Sequence, residues 1–93
     1  MRFSVVTVCY NAEIEIEKTI LSVLEQENTD YDYVFIDGNS SDATNEIINS
    51  HKESFAQKKI NVKHISEEDS GIYDAMNKGI DNAFGEWIIF MNA

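Results

Sequence analysis

Residues 3–9, FSVVTVC, are β-branched and nearly continuous in apolarity, the pattern of a strand covered on both faces. Tyr10, Asn11 and Ala12 end the run. From Glu13 to Glu27 the apolar residues Ile16, Ile20, Val23 and Leu24 recur at helical spacing while Glu15, Glu17, Lys18 and Glu25 take the other faces, which predicts an amphipathic helix. YDYVFID, residues 31–37, predicts a second buried strand, and the turn-rich GNSSDAT leads into a second helix carrying Ile47, Ile48 and Phe55, with Ser41 or Asp42 as its N-cap. INVKHI, residues 60–65, reads as a third, less apolar strand. Residues 71–84 give a third helix through Ile72, Met76, Ile80 and Ala83, and WIIF reads as a fourth buried strand.

Four strands alternating with three helices over short connections call for parallel crossovers and a three-layer α/β/α sandwich. The most economical strand order is 3-2-1-4. It sets the first and last strands side by side and opens a crevice at their carboxyl ends, where sheets of this kind bind ligands. Thr7 to Asn11, Asp37 to Thr44 and Glu67 to Lys78 converge there.

Ninety-three residues allow one domain with a single core, burying roughly 60–65% of the surface of the unfolded chain. The balance of 17 Asp and Glu against 7 Lys and Arg, a net charge of −10, argues against nucleic acid and anionic membrane as nonspecific partners. A phosphate-bearing ligand would need backbone N–H groups, a placed cation or a bridging divalent metal. Cys9 is the single cysteine, so no intrachain disulfide forms; it reads as a small core residue in a reducing cytosol. The N-terminus lacks the features of a signal peptide.

CYNAE after the first strand holds no glycine, which removes the phosphate loop of a dinucleotide-binding domain. Asp37 ends a strand and precedes Gly38, where the chain can turn sharply and a flat ligand can approach the backbone. Its carboxylate can accept the N3–H of uracil or cap the following turn, and both readings stand at this point. Asn39, Ser40, Ser41, Asp42 and Thr44 suit capping of the second helix. Tyr10 can stack on a base or pack over the strand end. His51 and His64 lack metal-pair spacing and read as surface residues. Asp74 and Lys78 read as a surface pair at i, i+4, and Asn77 as an amide that shares a helical face with core residues and holds the crevice loops.

In order along the chain, SVVTVCYN, IDGNSSDAT, EEDSGIYDAMNKGI and GEWIIFMNA resemble the N-terminal half of the family 2 glycosyltransferases, enzymes of the GT-A fold that build polysaccharides and decorate lipids. The resemblance implies transfer of a sugar from a nucleotide-diphosphate donor, a UDP-sugar above all, to a hydroxyl acceptor with inversion. By motif match, Thr7, Tyr10 and Asn11 would line the nucleotide pocket and Asp37 would bind the base, with Gly38 beside it. Ser40 and Asp42 match the turn after the second strand, and Asp69 and Asn77 match polar positions before and on the third helix.

In the family the fourth strand runs into an Asp-rich motif that holds Mn²⁺ or Mg²⁺ on the donor diphosphate. Here the expectation is of residues 1–93 as the nucleotide-sugar-binding part, truncated before that motif and before the acceptor-binding half with its general base. No catalytic or metal-binding residue is expected within the chain, and the chain alone is expected to be inactive. The full-length enzyme is expected in the cytoplasm or at the inner face of the membrane, and the fourth strand as an edge through which copies associate. The contrasting expectation is a stand-alone nucleotide-binding or interaction module without catalysis. A two-component phosphoacceptor domain is disfavoured, since no acidic pair follows the first strand.

Overall fold

The computed structural model describes residues 3–26, 31–68, 70–83 and 87–91. Four strands and three helices alternate: β1 (Phe3–Cys9), α1 (Glu13–Leu24), β2 (Tyr31–Asp37), α2 (Thr44–Gln57), β3 (Val62–Ser66), α3 (Ile72–Asn82) and β4 (Trp87–Phe90). The sheet is parallel throughout, in the order β3-β2-β1-β4, as the alternation predicts. α1 stops short of Glu27, which lies outside the described residues, and β3 begins at Val62 rather than Ile60.

The period of two in a strand divides the core into two layers. Val5, Cys9, Tyr31, Tyr33 and Phe35 meet Ile16, Ile20 and Val23 of α1 and Ile48 and Phe55 of α2. Val6, Val34 and Ile36 turn to the other side, against Ala75 of α3. Each Val, Ile or Phe side chain among them, taken fully out of water, contributes about 1.5–3 kcal/mol. Every residue of β2 is buried, as its apolar run predicts for the central region of a sheet covered on both faces.

Two expectations are corrected. Ile72 and Ile80 of α3 do not face the core; they are 56% and 45% exposed, and the helix seats on the small residues Ala75 and Gly79. The reason is distance: a Cβ at Gly79 would lie 2.4 Å from Cγ1 of Val6, so the helix axis comes closer to β1 than any larger residue permits. β4 is likewise not a buried strand. It pairs with β1 at the sheet edge, and Trp87, Ile89 and Phe90 remain 55%, 45% and 38% exposed.

Candidate functional site

A crevice of about 600 Å³ opens at the carboxyl end of the sheet between β1, β2 and the start of α3. Val8, Cys9, Tyr10, Gly38, Asn39, Glu68, Gly71, Ile72 and Ala75 line it. The crevice opens toward the α3 side; Val8 and, at the end of β1, Cys9 reach it from the strand, and Gly38 and Asn39 reach it from the turn after β2. Tyr10 is 64% exposed at its rim.

Residues of the odd register point to the α1 and α2 side, which redirects two of the predicted pocket residues. Thr7 does not line the crevice: it is fully buried, and its hydroxyl meets the Tyr33 hydroxyl at 2.5 Å. Burial pushes the Tyr33 phenol well above its ordinary value, against the opposing effect of the Thr7 hydrogen bond, so the pair is a neutral contact inside the core.

Asp37 is fully buried with its carboxylate turned the same way. Oδ2 accepts the Ser40 N–H at 2.8 Å, the Ser66 hydroxyl at 2.8 Å and the Asn45 side-chain amide at 2.9 Å. Oδ1 accepts the Ser40 hydroxyl and lies 3.7 Å from the Cys9 thiol. Burial alone would raise the carboxyl pKa; the Ser40, Asn45 and Ser66 donors outweigh it and hold the group below its ordinary value. These internal donors take up the lone pairs that a ligand imide would need.

Asn11, Ser40 and Asp42 join the loops after β1 and β2 instead of facing the crevice. Asn11 and Asn39 both adopt positive φ, 47° and 66°, which asparagine tolerates better than most residues and which turns the chain sharply after each strand. The Asn11 N–H donates to the Ser40 hydroxyl at 2.8 Å, and the Asn11 side-chain carbonyl accepts the Ser41 N–H at 2.8 Å. At the helix starts the exchange is reciprocal. Asp42 accepts the Glu13 N–H at 3.3 Å and Glu13 accepts the Ala43 N–H at 3.1 Å.

The N-cap of α2 is Ala43, one residue beyond the predicted pair, yet Asp42 still serves the helix end by accepting the Thr44 N–H at 3.0 Å and its hydroxyl at 2.5 Å. Led by the Thr44 hydroxyl, these donors lower the Asp42 carboxyl pKa. The Thr44 hydroxyl in turn accepts the Ala12 N–H at 2.9 Å.

Asn77 does not hold the crevice loops; it is exposed on α3. That task falls to its neighbours. Asp74 accepts the Ser70 N–H at 2.9 Å, and Lys78 binds the Glu68 carbonyl at 2.9 Å and the Glu67 carboxylate at 3.2 Å, so the expected surface pair ties the β3–α3 loop to the helix. Asp69 lies outside the described residues.

Both histidines are also more engaged than surface residues. His51 on α2 meets Glu17 on α1 at 2.9 Å, and His64 on β3 meets the Asn45 carbonyl oxygen at 2.7 Å. Sequence reasoning missed Asn45 and Ser66 entirely, since nothing in their spacing announces a shared partner. The signal lay in strand register, which pairs Asp37 with Ser66.

Among the described residues no group of three or more His, Cys, Asp or Glu side chains is gathered as a metal ion requires. The described carboxylates alone therefore do not form a site for the Mn²⁺ or Mg²⁺ that the resemblance implies. No helix of the described residues is long and apolar enough to cross a membrane.

The family model for glycosyl transferase family 2 matches residues 4–93. A PGL/p-HBAD biosynthesis glycosyltransferase of Mycobacterium bovis is 32% identical over 91 residues, covering 98% of this chain and 34% of that protein. The amylovoran biosynthesis glycosyltransferase AmsB of Erwinia amylovora is 36% identical over 93 residues, covering 98% and 30%. The chain thus spans about a third of the length of these relatives.

Among solved structures, residues 1–349 of TarS from S. aureus in complex with UDP-GlcNAc superpose with a TM-score of 0.86 at 26% identity, covering 99% of this chain and 26% of that one. The mannosyltransferase PcManGT of Pyrobaculum calidifontis, in complex with GDP-Man and Mn²⁺, gives the same TM-score at 24% identity, covering 97% and 26%, and shows the shared fold. With this sheet order, the crevice at its carboxyl edge and a family match over nearly its whole length, the chain belongs to glycosyl transferase family 2.

Proposed function

We propose that these 93 residues bind the nucleotide of a nucleotide-diphosphate sugar, with UDP-sugars favoured, and supply the donor-holding part of a glycosyltransferase that acts on a hydroxyl acceptor with inversion. The observation that carries this reading is the crevice at the carboxyl ends of β1 and β2, with an exposed Tyr10 at its rim. The TarS complex with UDP-GlcNAc, 26% identical, supports the choice of base.

In this reading the base stacks on Tyr10 against the Gly38–Asn39 turn, whose main-chain groups read its edge. The diphosphate runs toward Gly71 at the start of α3, where the helix dipole favours negative charge. Asp37 braces the turn from behind rather than touching the base. The acceptor, the inverting transfer step and the Mn²⁺ or Mg²⁺ implied by the resemblance are assigned to residues outside the described set. In this reading the described residues bind the donor and supply no turnover by themselves. The open β4 edge is proposed as a pairing surface for a second copy, and a cytoplasmic site near the inner membrane face as the setting of the full-length enzyme.

Calorimetric titration of UDP, UDP-GlcNAc and GDP into the chain and into Tyr10→Ala tests this reading. Saturable UDP binding is expected, weakened about 2- to 10-fold in the variant, the equivalent of a stacking contribution of about 0.5–1.5 kcal/mol. Absence of saturable binding by the unmodified chain at millimolar nucleotide would sink the proposal.

A further inference from the structure

The crevice wall formed by Gly38 and Asn39 is followed at once by Ser40, whose N–H and hydroxyl are both fixed by Asp37. Asp37 is in turn held from two neighbouring elements. Ser66, on β3, donates its hydroxyl to Oδ2, and Asn45, in the first turn of α2, donates its amide to the same oxygen and to the Ser66 oxygen at 3.2 Å. An ionised carboxylate only accepts, so the Asn45 amide must turn its NH₂ toward Asp37 and its carbonyl toward His64. That orientation settles the imidazole as well: Nε2 of His64 carries the proton and donates it to Asn45 Oδ1 over 2.7 Å. His64 is half-buried on the edge strand, with its ring set edge-on to Phe35 at 6.4 Å between centroids.

We infer that Asn45 and His64 are positioning residues of the crevice: His64 fixes the Asn45 amide, Asn45 fixes Asp37, and Asp37 fixes the Gly38–Ser40 turn that forms the wall. The inference rests on the nucleotide reading for its functional consequence, but the relay itself is a property of this fold. Neither residue touches the crevice. Without a donor at its carbonyl the Asn45 amide is free to rotate, and its NH₂ leaves Asp37; the carboxylate then loses a charge-assisted bond and the wall loses its anchor.

Three variants test the relay: Asn45→Ala, His64→Leu, and His64→Gln, whose amide keeps an N–H donor. The ¹H–¹⁵N spectrum reads the wall directly through the Ser40 and Asn39 amides, at a temperature where circular dichroism shows each variant folded. Both signals are expected to move in Asn45→Ala and His64→Leu and to return to their original positions in His64→Gln. UDP titration reads the consequence, a loss of roughly ten-fold in affinity for the first two variants, the order expected when one hydrogen bond to a charged group is lost, with recovery in the third. A merely structural role would lower the melting temperature without this pattern of loss and rescue.

Ser40 and Asn39 signals unmoved in Asn45→Ala and His64→Leu would overturn the relay. Equal UDP affinity in all variants of a chain that does bind UDP would overturn its role in the crevice. A chain that fails to bind UDP at all would overturn the nucleotide reading instead, while the Ser40 amide still decides the relay.

Discussion

Replacing Gly79 with alanine isolates how closely α3 sits on the sheet. The added Cβ would meet Cγ1 of Val6 at 2.4 Å, with the Val6 Cβ and Cγ2 at 3.5 and 3.6 Å. The two farther contacts are ordinary; the first requires movement of about 1 Å to reach a normal carbon contact of 3.5 Å or more. Val6 is fully buried in the middle of β1 and has little room to rotate, so α3 must lift.

Two effects then oppose one another. Alanine gains about 1 kcal/mol over glycine inside a helix, whereas overpacking a buried contact costs about 1–3 kcal/mol. The net expectation is a destabilisation of about 1 kcal/mol, or about 4–8 °C in Tm for a domain of this size. Lifting α3 also moves Gly71, Ile72 and Ala75 at the crevice, so UDP affinity should fall together with Tm. The assay is thermal unfolding by circular dichroism, with Val6→Ala added in a second variant to vacate the clashing methyl. A coupling of the two substitutions is expected, the pair being more stable than the sum of the singles predicts. Gly79→Ala with a Tm equal to or above the original would refute the close seating of α3.

Other outcomes test the parts that surround this seat. Thr7→Val and Tyr33→Phe should each cost about 1–3 kcal/mol in urea unfolding, since each strands a buried hydroxyl, and the double variant should cost less than their sum. The Asp37 carboxyl is held below its ordinary value in the folded chain, so its contribution to stability is present above pH 3.8 and disappears as the pH falls through the folded value. Acid titration of stability should accordingly show a steep loss below pH 3.8 that Asp37→Asn flattens; an unchanged acid limb would count against the internal donors. Light scattering at rising concentration should show association through the open β4 edge, abolished by Ile89→Lys, whereas a strict monomer argues that the exposed Trp87, Ile89 and Phe90 carry no partner of their own kind.

The order of elements and the sheet topology were legible because they depend on apolar runs and their spacing, which a sequence displays directly. The site was legible only in outline. The family resemblance drew attention to Thr7, and Asp37 stood out by its place at a strand end, but the face on which each residue falls is a matter of register, and one position of shift exchanges crevice for core. At the strand ends the crevice is lined by Val8, Cys9 and Gly38, residues that carry no signal of ligand binding by themselves. Ser40 and Asp42 were recognisable as turn and cap residues. Their partners Asn11 and Glu13 lie 29 residues away, and no local pattern reveals a bond of that span. For α3, periodicity overestimated how much of the apolar stripe would be covered, because close approach through Gly79 substitutes for bulk.

The hydrogen bonds exchanged between Asn11 and Ser41, and between Glu13 and the start of α2, have a consequence for how this fold can vary. Each helix receives part of its terminal satisfaction from the loop of the other βα unit. An inserted residue in either loop would therefore unhook both helix starts, although each loop by itself lies at the surface, where insertions are ordinarily tolerated. The two connections can change in length only together, and the turn between α2 and β3, at the opposite end of the sheet, is tied in its own way, through Lys58 to the Leu24 and Gln26 carbonyls and through the buried Ile60.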